Sequence, residues 1–382
     1  MTEKLYYLDA YIKDFTANVL SAVKTAKGYD VILDKTAFFP EEGGQSSDTG
    51  SIGASRVLHV YEVDGIIHHI TDTEPEGVVE CHLDFDDRFV KMQCHTAEHI
   101  VCGIIHRLFG YDNVGFHIGD DEVTFDISSP LDRSDLDRVE ELANEAVFAN
   151  LEVTTSFPSA DELASLSYRS KLELVDNVRI VTIGDVDTCA CCAPHVSYTG
   201  EIGLIKLLDS FKHRGGMRIT LVAGRRALLD YTKKYTSARR ISAMLSAPQD
   251  DIADALDAYM KETEALRYRL SLARKAITDI YAASIPETDG THVLFLDDMS
   301  YEELRDVANS AKGRVNGLLV LLSGTDGEYK YVISSETADL SSEIRLINSA
   351  LNGKGGGRGT MVQGTMRATA AAIREYFIEI TD

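Results

Sequence analysis

The chain has 382 residues, enough for two or three domains, and its 44% hydrophobic and 26% charged residues exclude a disordered or collagen-like polymer. Lys plus Arg number 38 against 61 Asp plus Glu, and the resulting −23 argues against a generic nucleic-acid-binding surface while leaving local basic patches open. The longest apolar run without Gly, Leu318 to Leu322, falls far short of the ~20 residues that span a bilayer, and no basic segment leads an apolar core at the N-terminus, so a soluble cytoplasmic protein is expected.

An α+β architecture of four units is expected. Residues 1–88 read as mostly β and barrel-like, with strand-like runs at 29–34 and 56–63 and turns at Gly43-Gly44 and Asp48-Thr49-Gly50. Residues 89–226 mix strands and helices. A helix fits 87–109, because Val90, Cys94, Ala97, Val101, Ile104 and Leu108 recur at three and four and Gly110 suits a helix C-terminus. A second helix fits 135–150, and strand-like runs at 178–183 and 203–208 flank a cluster of cysteines.

Residues 227–285 read as a helical or coiled-coil connector. Ile252, Leu256, Tyr259, Thr263, Leu266, Leu270, Ala273 and Ile277 alternate at four and three between Pro248 and Pro286. Such a helix would be a rod of roughly 50 Å with a weak seam, and an intramolecular helix pair and a dimer zipper both fit. Residues 286–382 read as a separate α/β unit. It has strands at 292–296, 317–322 and 329–333, a glycine-rich turn at 352–358 and an alanine-rich helix from about residue 368.

The six cysteines are Cys81, Cys94, Cys102, Cys189, Cys191 and Cys192. Three in a tight cluster suggest metal or thiol chemistry rather than a disulfide framework, while Cys81 and Cys102 read as small buried hydrophobes. His95 and His99, four apart on the expected helix, project from one face and can share a metal. Cys191 and His195 have the same spacing, but Pro194 favours a loop there. Together they offer His3Cys, or three ligands and an open position, and thiolate with imidazole favours zinc. His95-Thr-Ala-Glu98-His99 also matches the H-x-x-E-H pattern of inverted zinc peptidases with Glu98 as general base, although those enzymes take a glutamate as third ligand.

Three motifs then coincide in order: Leu33-Asp-Lys-Thr36-Ala-Phe-Phe-Pro40-Glu-Glu-Gly43-Gly44-Gln45-Ser-Ser-Asp48-Thr-Gly50, His95-Thr-Ala-Glu-His99, and Cys191-Cys-Ala-Pro-His195-Val-Ser-Tyr-Thr199-Gly200-Glu-Ile-Gly203. Together they resemble the editing half of alanyl-tRNA synthetase and the long form of the free-standing alanyl-tRNA editing proteins. Asn352-Gly-Lys-Gly-Gly-Gly-Arg358 with Gln363-Gly364 is similar to the DHH-associated domain that ends that synthetase. The resemblance implies a zinc-dependent editing domain at 89–226, a DHH-associated α/β domain at 286–382, and hydrolysis of seryl-tRNA(Ala), with glycyl-tRNA(Ala) as a second substrate. It puts His95, His99, Cys191 and His195 on the family's Zn2+ positions and Thr36 on a threonine that senses the serine hydroxyl. This chain has Cys191-Cys192-Ala193-Pro194-His195 where the family often has Cys-Gly-Gly-Thr-His, and Cys189 and Cys192 compete with Cys191 as ligand. No aminoacylation module precedes the β unit in this sequence, so ATP binding enters only as a family label, and correction of a product made elsewhere is expected.

Gln45, beside Thr36 in the motif, and His117 in Gly115-Phe-His-Ile-Gly are further catalytic candidates, while His106 reads as structural. Residues 201–240 carry ten Lys or Arg against Glu201, Asp209 and Asp230, a local +7 that leaves −30 on the rest. Arg214, Arg218, Arg225 and Arg226 in this window, with Lys354 and Arg358, are the expected tRNA contacts. The competing functions are a non-catalytic tRNA-binding protein with structural zinc, the peptidase, and a phosphoesterase. The last is poor, because no Asp-His-His occurs in the chain. A homodimer through the connector or the C-terminal unit is an open expectation.

Overall fold

Alternation of inward and outward side chains closes six N-terminal strands into a barrel, in the order Asp14–Thr25, Gly28–Leu33, Ile66–Thr71, Ser55–Val63, Gly50–Ile52 and Val78–Leu83. In the last strand Val79, Cys81 and Leu83 are buried while their neighbours face out. Val31, Leu33, Ile52, Val57 and Ile67 fill the interior. These coordinates are a computed structural model, which describes residues 1–170 and 178–379 and separates into two units, Met1–Arg240 and Ile241–Asp382. Residues 171–177, inside the expected editing domain, and 380–382, at the end of the expected C-terminal one, lie outside the described residues.

Helix α1, Phe85–Phe109, leaves the barrel two residues earlier than the periodicity suggests and ends on Gly110, whose N–H bonds His106 O at 2.8 Å. From Met92 to Ile105 every residue of α1 is buried. A helix enclosed on all sides is a core element, so its polar side chains must find partners inside. Around it lie α2, Arg133–Phe148, and an antiparallel sheet ordered Ile205–His213, Gly216–Ala223, Val123–Ile127, Asn113–Ile118. A three-stranded sheet of Val153–Ser156, Ile180–Ile183 and Asp187–Ala190 completes the surround, with α3, Ala160–Ser165, between its first two strands in sequence. Helix α4, Gly224–Leu245, follows.

In the second unit α5, Ile252–Ser284, begins after a 3₁₀ turn at Gln249–Asp251 that Pro248 precedes. Its seam residues Tyr259, Leu266 and Leu270 are exposed, whereas Thr278 and Ala282 are buried. A five-stranded sheet follows, ordered His292–Leu296, Leu318–Thr325, Glu328–Ser335, Met361–Met366, Gly353–Arg358, with α6 (Tyr301–Ser310), α7 (Glu343–Ala350) and α8 (Ala370–Glu379). The glycine-rich stretch expected as a turn is therefore an edge strand. Its glycines allow close approach: a Cβ on Gly355 would lie 2.4 Å from both Gln363 O and the Tyr331 hydroxyl. Among the described residues no helix is long and apolar enough to cross a membrane.

Two buried polar devices hold the first unit together. Arg88, in the first turn of α1, bonds both oxygens of Asp48, donates to Ala37 O at 2.7 Å and reaches Ala10 O at 3.2 Å. Asp48 in turn accepts the Phe39 N–H at 2.6 Å. One turn later Lys91 Nζ donates to Ser47 O at 2.8 Å. The 37–48 loop is thus bolted to the helix. Inside the barrel, His69 Nδ1 donates to Val31 O at 3.1 Å, so its Nε2 accepts the Thr36 hydroxyl at 2.9 Å. Burial holds His69 down at about 4.

Both devices give measurable consequences. Arg88→Met strands the Asp48 carboxylate in a dry interior and should cost about 3–5 kcal/mol in urea unfolding, with Asp48→Asn restoring part of the loss in the double variant. For His69, the unfolded chain takes up a proton near 6.5 and the native state only near 4. The stabilisation from its neutral ring is complete above about pH 6.5 and falls by about 3 kcal/mol as pH drops toward 4. His69→Gln should flatten the stability profile across that window relative to wild type, measured with metal removed from both.

Candidate metal centre

One turn of α1 separates His95 from His99 and sets their rings 5.3 Å apart, centre to centre. The loop after strand Asp187–Ala190 brings His195 to 4.9 Å from the first ring and 4.7 Å from the second. Cys191 Sγ lies 3.5 Å from His95 Nε2 and 3.4 Å from His195 Nε2. One donor atom from each of these four residues falls within 4.8 Å of all the others. The loop keeps this shape because Arg179 Nη1 donates to Cys191 O at 2.9 Å and Ala193 O at 2.8 Å.

The tautomer of each imidazole follows from its other nitrogen. His95 Nδ1 faces Gln45 Oε1 at 3.0 Å, an acceptor, so it carries the proton. His99 Nδ1 donates to Asp187 Oδ2 at 3.1 Å, and Arg169 holds the same carboxylate through bonds of 2.7 and 2.8 Å. His195 Nδ1 donates at 3.0 Å to the Thr96 hydroxyl, whose own hydrogen goes to Met92 O at 2.8 Å. Three Nε2 atoms are left to coordinate, beside a sulfur. This is how proteins orient histidine ligands, and a thiolate with three imidazoles suits zinc.

The electrostatics agree. Burial pushes the Cys191 thiol up, but the fields of His95, His195 and His99 outweigh it and hold the thiol well below its usual range. Burial lowers His195 to about 3, keeping it neutral. Burial also works against a charged His99, yet the Cys189 and Cys191 sulfurs and the Asp187 bond raise it well above the ordinary histidine value. In the metal-free protein a proton on His99 therefore offsets the Cys191 thiolate, and proton and cation compete for the same donors.

The other candidates divide. Gln45 is buried against His95 as its hydrogen-bond partner, behind the ligand instead of in the cavity. Thr36 is fully buried, with its hydroxyl spent on His69 and the Phe38 N–H, which leaves it away from the cavity that the metal residues line. His117 sits exposed on the edge strand, and its neighbour Phe116 packs on His95 at 4.7 Å instead. His106 points outward and pairs with Asp112 at 3.1 Å. Glu98 bonds Asn113 and the Cys102 thiol, which lies 3.1 Å away. Cys189 groups with His99 and Asp187 rather than with the four donors, and Cys192, raised by burial, faces Glu42.

Of the expected tRNA contacts, Arg214, Arg225, Lys354 and Arg358 are exposed. Arg218 is held by Asp126 in a two-pronged bond of 2.7 and 2.8 Å, and half-buried Arg226 interacts with the Cys94 thiol. Sequence spacing gave no sign of Asp187, Arg169, Thr96 or Arg179. Only Gly103 carried a clue: a Cβ there would lie 2.7 Å from Val186 O and from the Asp187 Cβ, so glycine lets the strand bearing Asp187 touch α1.

His95, His99 and Cys191 open onto a cavity of about 1120 Å³, walled also by Tyr7, Phe157 and Tyr168. That volume accepts a ligand of nucleoside size or larger.

Comparison with known proteins adds the family context. Residues 178–241 match the threonyl and alanyl tRNA synthetase second additional domain. The alanyl-tRNA editing protein AlaX-L of Pyrococcus horikoshii is 25% identical over 400 residues, covering 99% of this chain and 98% of that protein. The alanyl-tRNA editing protein Aarsd1 of Danio rerio is 26% identical and covers 93% and 92% respectively. The alanine–tRNA ligase of Ignicoccus hospitalis is 28% identical over 94% of this chain, which spans only 40% of the ligase. The C-Ala domain of Aquifex aeolicus alanyl-tRNA synthetase aligns with 24% of the chain at 24% identity and a TM-score of 0.21, too low to support a fold argument.

The geometry predicts one metal per chain by elemental analysis, lost in His95→Ala and Cys191→Ala but retained in His106→Ala. Asp187→Asn and Thr96→Val, which loosen a ligand without removing it, should weaken metal affinity roughly 10–100-fold in a chelator competition. Full loading of Cys191→Ala would reassign the sulfur ligand to Cys189.

Proposed function

From its similarity to alanyl-tRNA editing proteins over nearly its whole length, we propose that this chain is a zinc-dependent hydrolase acting in trans on mischarged tRNA(Ala). The substrates are seryl-tRNA(Ala) first and glycyl-tRNA(Ala) second, and the reaction is cleavage of the aminoacyl ester. The observation that carries this reading is the convergence of three oriented imidazoles and Cys191 at the wall of a cavity large enough for an aminoacylated nucleoside. Zinc bound there would supply a Lewis acid, able to polarise a carbonyl or to acidify water.

The chain's own residues supply the rest. Gln45, Asp187 and Thr96 act as positioning residues that fix the ligands before substrate arrives. Arg179 holds the ligand loop from behind, and its guanidinium stacks 5.2 Å from the centre of the Tyr7 ring at the cavity wall. Phe116 and Phe157 add apolar surface that displaces water from the ester. An aminoacyl ester is already activated, so orientation and partial desolvation account for much of the barrier reduction.

One observation favours a second reading. Four protein donors are what a structural zinc site uses, and a closed site fits a tRNA-binding protein without catalysis. The peptidase reading has less support, because Glu98 is engaged by Asn113 and Cys102 and the set is completed by Cys191 and His195 rather than a glutamate.

A deacylation assay separates the three. Hydrolysis of seryl-tRNA(Ala), abolished by chelator, restored by zinc and largely kept in Glu98→Gln, is expected. Tight tRNA binding without turnover would favour the binding protein, and peptide cleavage lost in Glu98→Gln the peptidase.

A further inference from the structure

The acids on the wall of the large cavity nearly all have partners. Glu62 is held by Lys4 at 2.7 Å, Asp187 by Arg169, Asp112 by His106 at 3.1 Å, and Glu41 turns toward His59 at 3.7 Å. Glu98 is buried and engaged by Asn113. Among the described residues this leaves Glu42 and Asp185 as exposed wall acids that enter no ion pair. Asp185 sits in the hairpin turn that packs on Gly103, a helical turn beyond His99. Glu42 adjoins the metal centre itself.

Its position is set by a two-residue turn. The Glu42 N–H donates to Gln45 O at 3.1 Å and the Gln45 N–H to Glu42 O at 3.0 Å. Between them Gly43 and Gly44 have φ of 61° and 84°, the left-handed pair that such a turn needs. Two residues that exchange both bonds have Cα atoms about 5.5 Å apart, and their side chains leave on one face. Gln45 runs on to His95 Nδ1 at 3.0 Å. Glu42 stays at the cavity wall and accepts a hydrogen bond from the thiol of Cys192, the residue after Cys191. Its carboxylate is thus tied to the donor set from two sides, through Gln45 to His95 and through Cys192 to Cys191. Lys4 and Arg179, which flank the Tyr7 ring, are committed elsewhere: Lys4 to both oxygens of Glu62, Arg179 to two carbonyls of the ligand loop.

We propose that Glu42 binds the α-ammonium of the substrate, so that the cavity selects aminoacyl esters with a free amine over N-acylated or deaminated ones. A carboxylate without a cation costs affinity in a cavity that admits one end of a polyanion, unless it meets a positive group there. The aminoacyl ester carries that group one carbon from the carbonyl to be cleaved. With the carbonyl at the metal donors, the amine falls beside them, where Glu42 stands. The two-glycine turn fixes the carboxylate in advance, so little ordering remains to be done on binding. The inference rests on the hydrolase reading above and names what that site recognises besides the ester.

The test uses the zinc-loaded full chain. Turnover is compared for seryl-tRNA(Ala) and its N-acetyl derivative. Binding is compared by calorimetry for a hydrolysis-resistant seryl amide of aminodeoxyadenosine and the same amide lacking the amine. The wild type should prefer the free amine in both pairs. Glu42→Gln should lower kcat/KM for seryl-tRNA(Ala) and weaken the seryl amide roughly tenfold to a hundredfold, the worth of one charge-assisted hydrogen bond. The amine-free partners should be unchanged, so the preference disappears, and Glu42→Asp should keep part of it. Glu42 is exposed, so zinc content and unfolding midpoint should stay at wild type. A preference as strong in Glu42→Gln as in the wild type, or none in a wild type that deacylates, would overturn this inference and leave the hydrolase standing. A preference that survives Glu42→Gln and vanishes on zinc removal would likewise refute it, by giving the amine to the metal. A wild type that neither deacylates seryl-tRNA(Ala) nor binds the seryl amide would overturn the hydrolase reading, and this inference with it.

Discussion

The centre depends on where three protons sit. His95, His99 and His195 each carry hydrogen on Nδ1, because each Nδ1 faces an acceptor: an amide oxygen, a carboxylate and a hydroxyl already committed elsewhere. Were any of these acceptors replaced by a donor, that ring would turn a hydrogen toward the sulfur and the donor set would break. The three acceptors come from three places: the 37–48 loop, strand Asp187–Ala190 and α1 itself. The site is therefore as rigid as the packing among those elements, and the fold can be read as the means of holding them.

That packing is unusually polar. α1 is sheathed on all sides, yet it carries Arg88, Lys91, Gln93, His95, Thr96, Glu98 and His99 in its buried stretch. The first two clamp the loop that delivers Gln45 to His95, and Gln93 donates to Glu201 O at 2.8 Å, just beyond the ligand loop. Buried charge is a weak source of net stability but a strong source of register, since only one docking of loop on helix pairs Asp48 with Arg88. A shift of the loop by one residue would lose Asp48 and Gln45 together.

How far the sequence spoke depended on distance along the chain. The two four-residue spacings were legible because both partners sit on one local element, and the helix carrying the first pair was legible from its apolar recurrence. The loop, the strand and Thr96 that orient the rings were not, because hydrogen bonds between residues 50 to 99 apart leave no periodic trace. The sequence named Thr36, through the resemblance, as a residue that senses the serine hydroxyl and His117 as a catalytic candidate, but it did not show which way a side chain such as that of His117 points. A motif names neighbours in sequence, while alternation along a strand sends adjacent side chains to opposite faces, so Phe116 packs on His95 and His117 faces outward. The basic window was legible as net charge but not as a surface, since charge counting is blind to Asp126 and Glu140. The glycine-rich strand misled because glycine signals both turns and close backbone approach, and Tyr331 and Gln363, which decide between them here, come from other strands.

Cys191 and His95 stand 96 residues apart in sequence and 3.5 Å apart in space. A cation gripping both would behave as a removable cross-link, closing a long loop of chain whose ends an unfolded molecule rarely brings together. Its binding free energy would add to the folding free energy of the first unit, growing by about 1.4 kcal/mol for each tenfold rise in free metal above Kd. The thermal resistance of the barrel, which touches no metal, would then track the metal concentration of the solution around it.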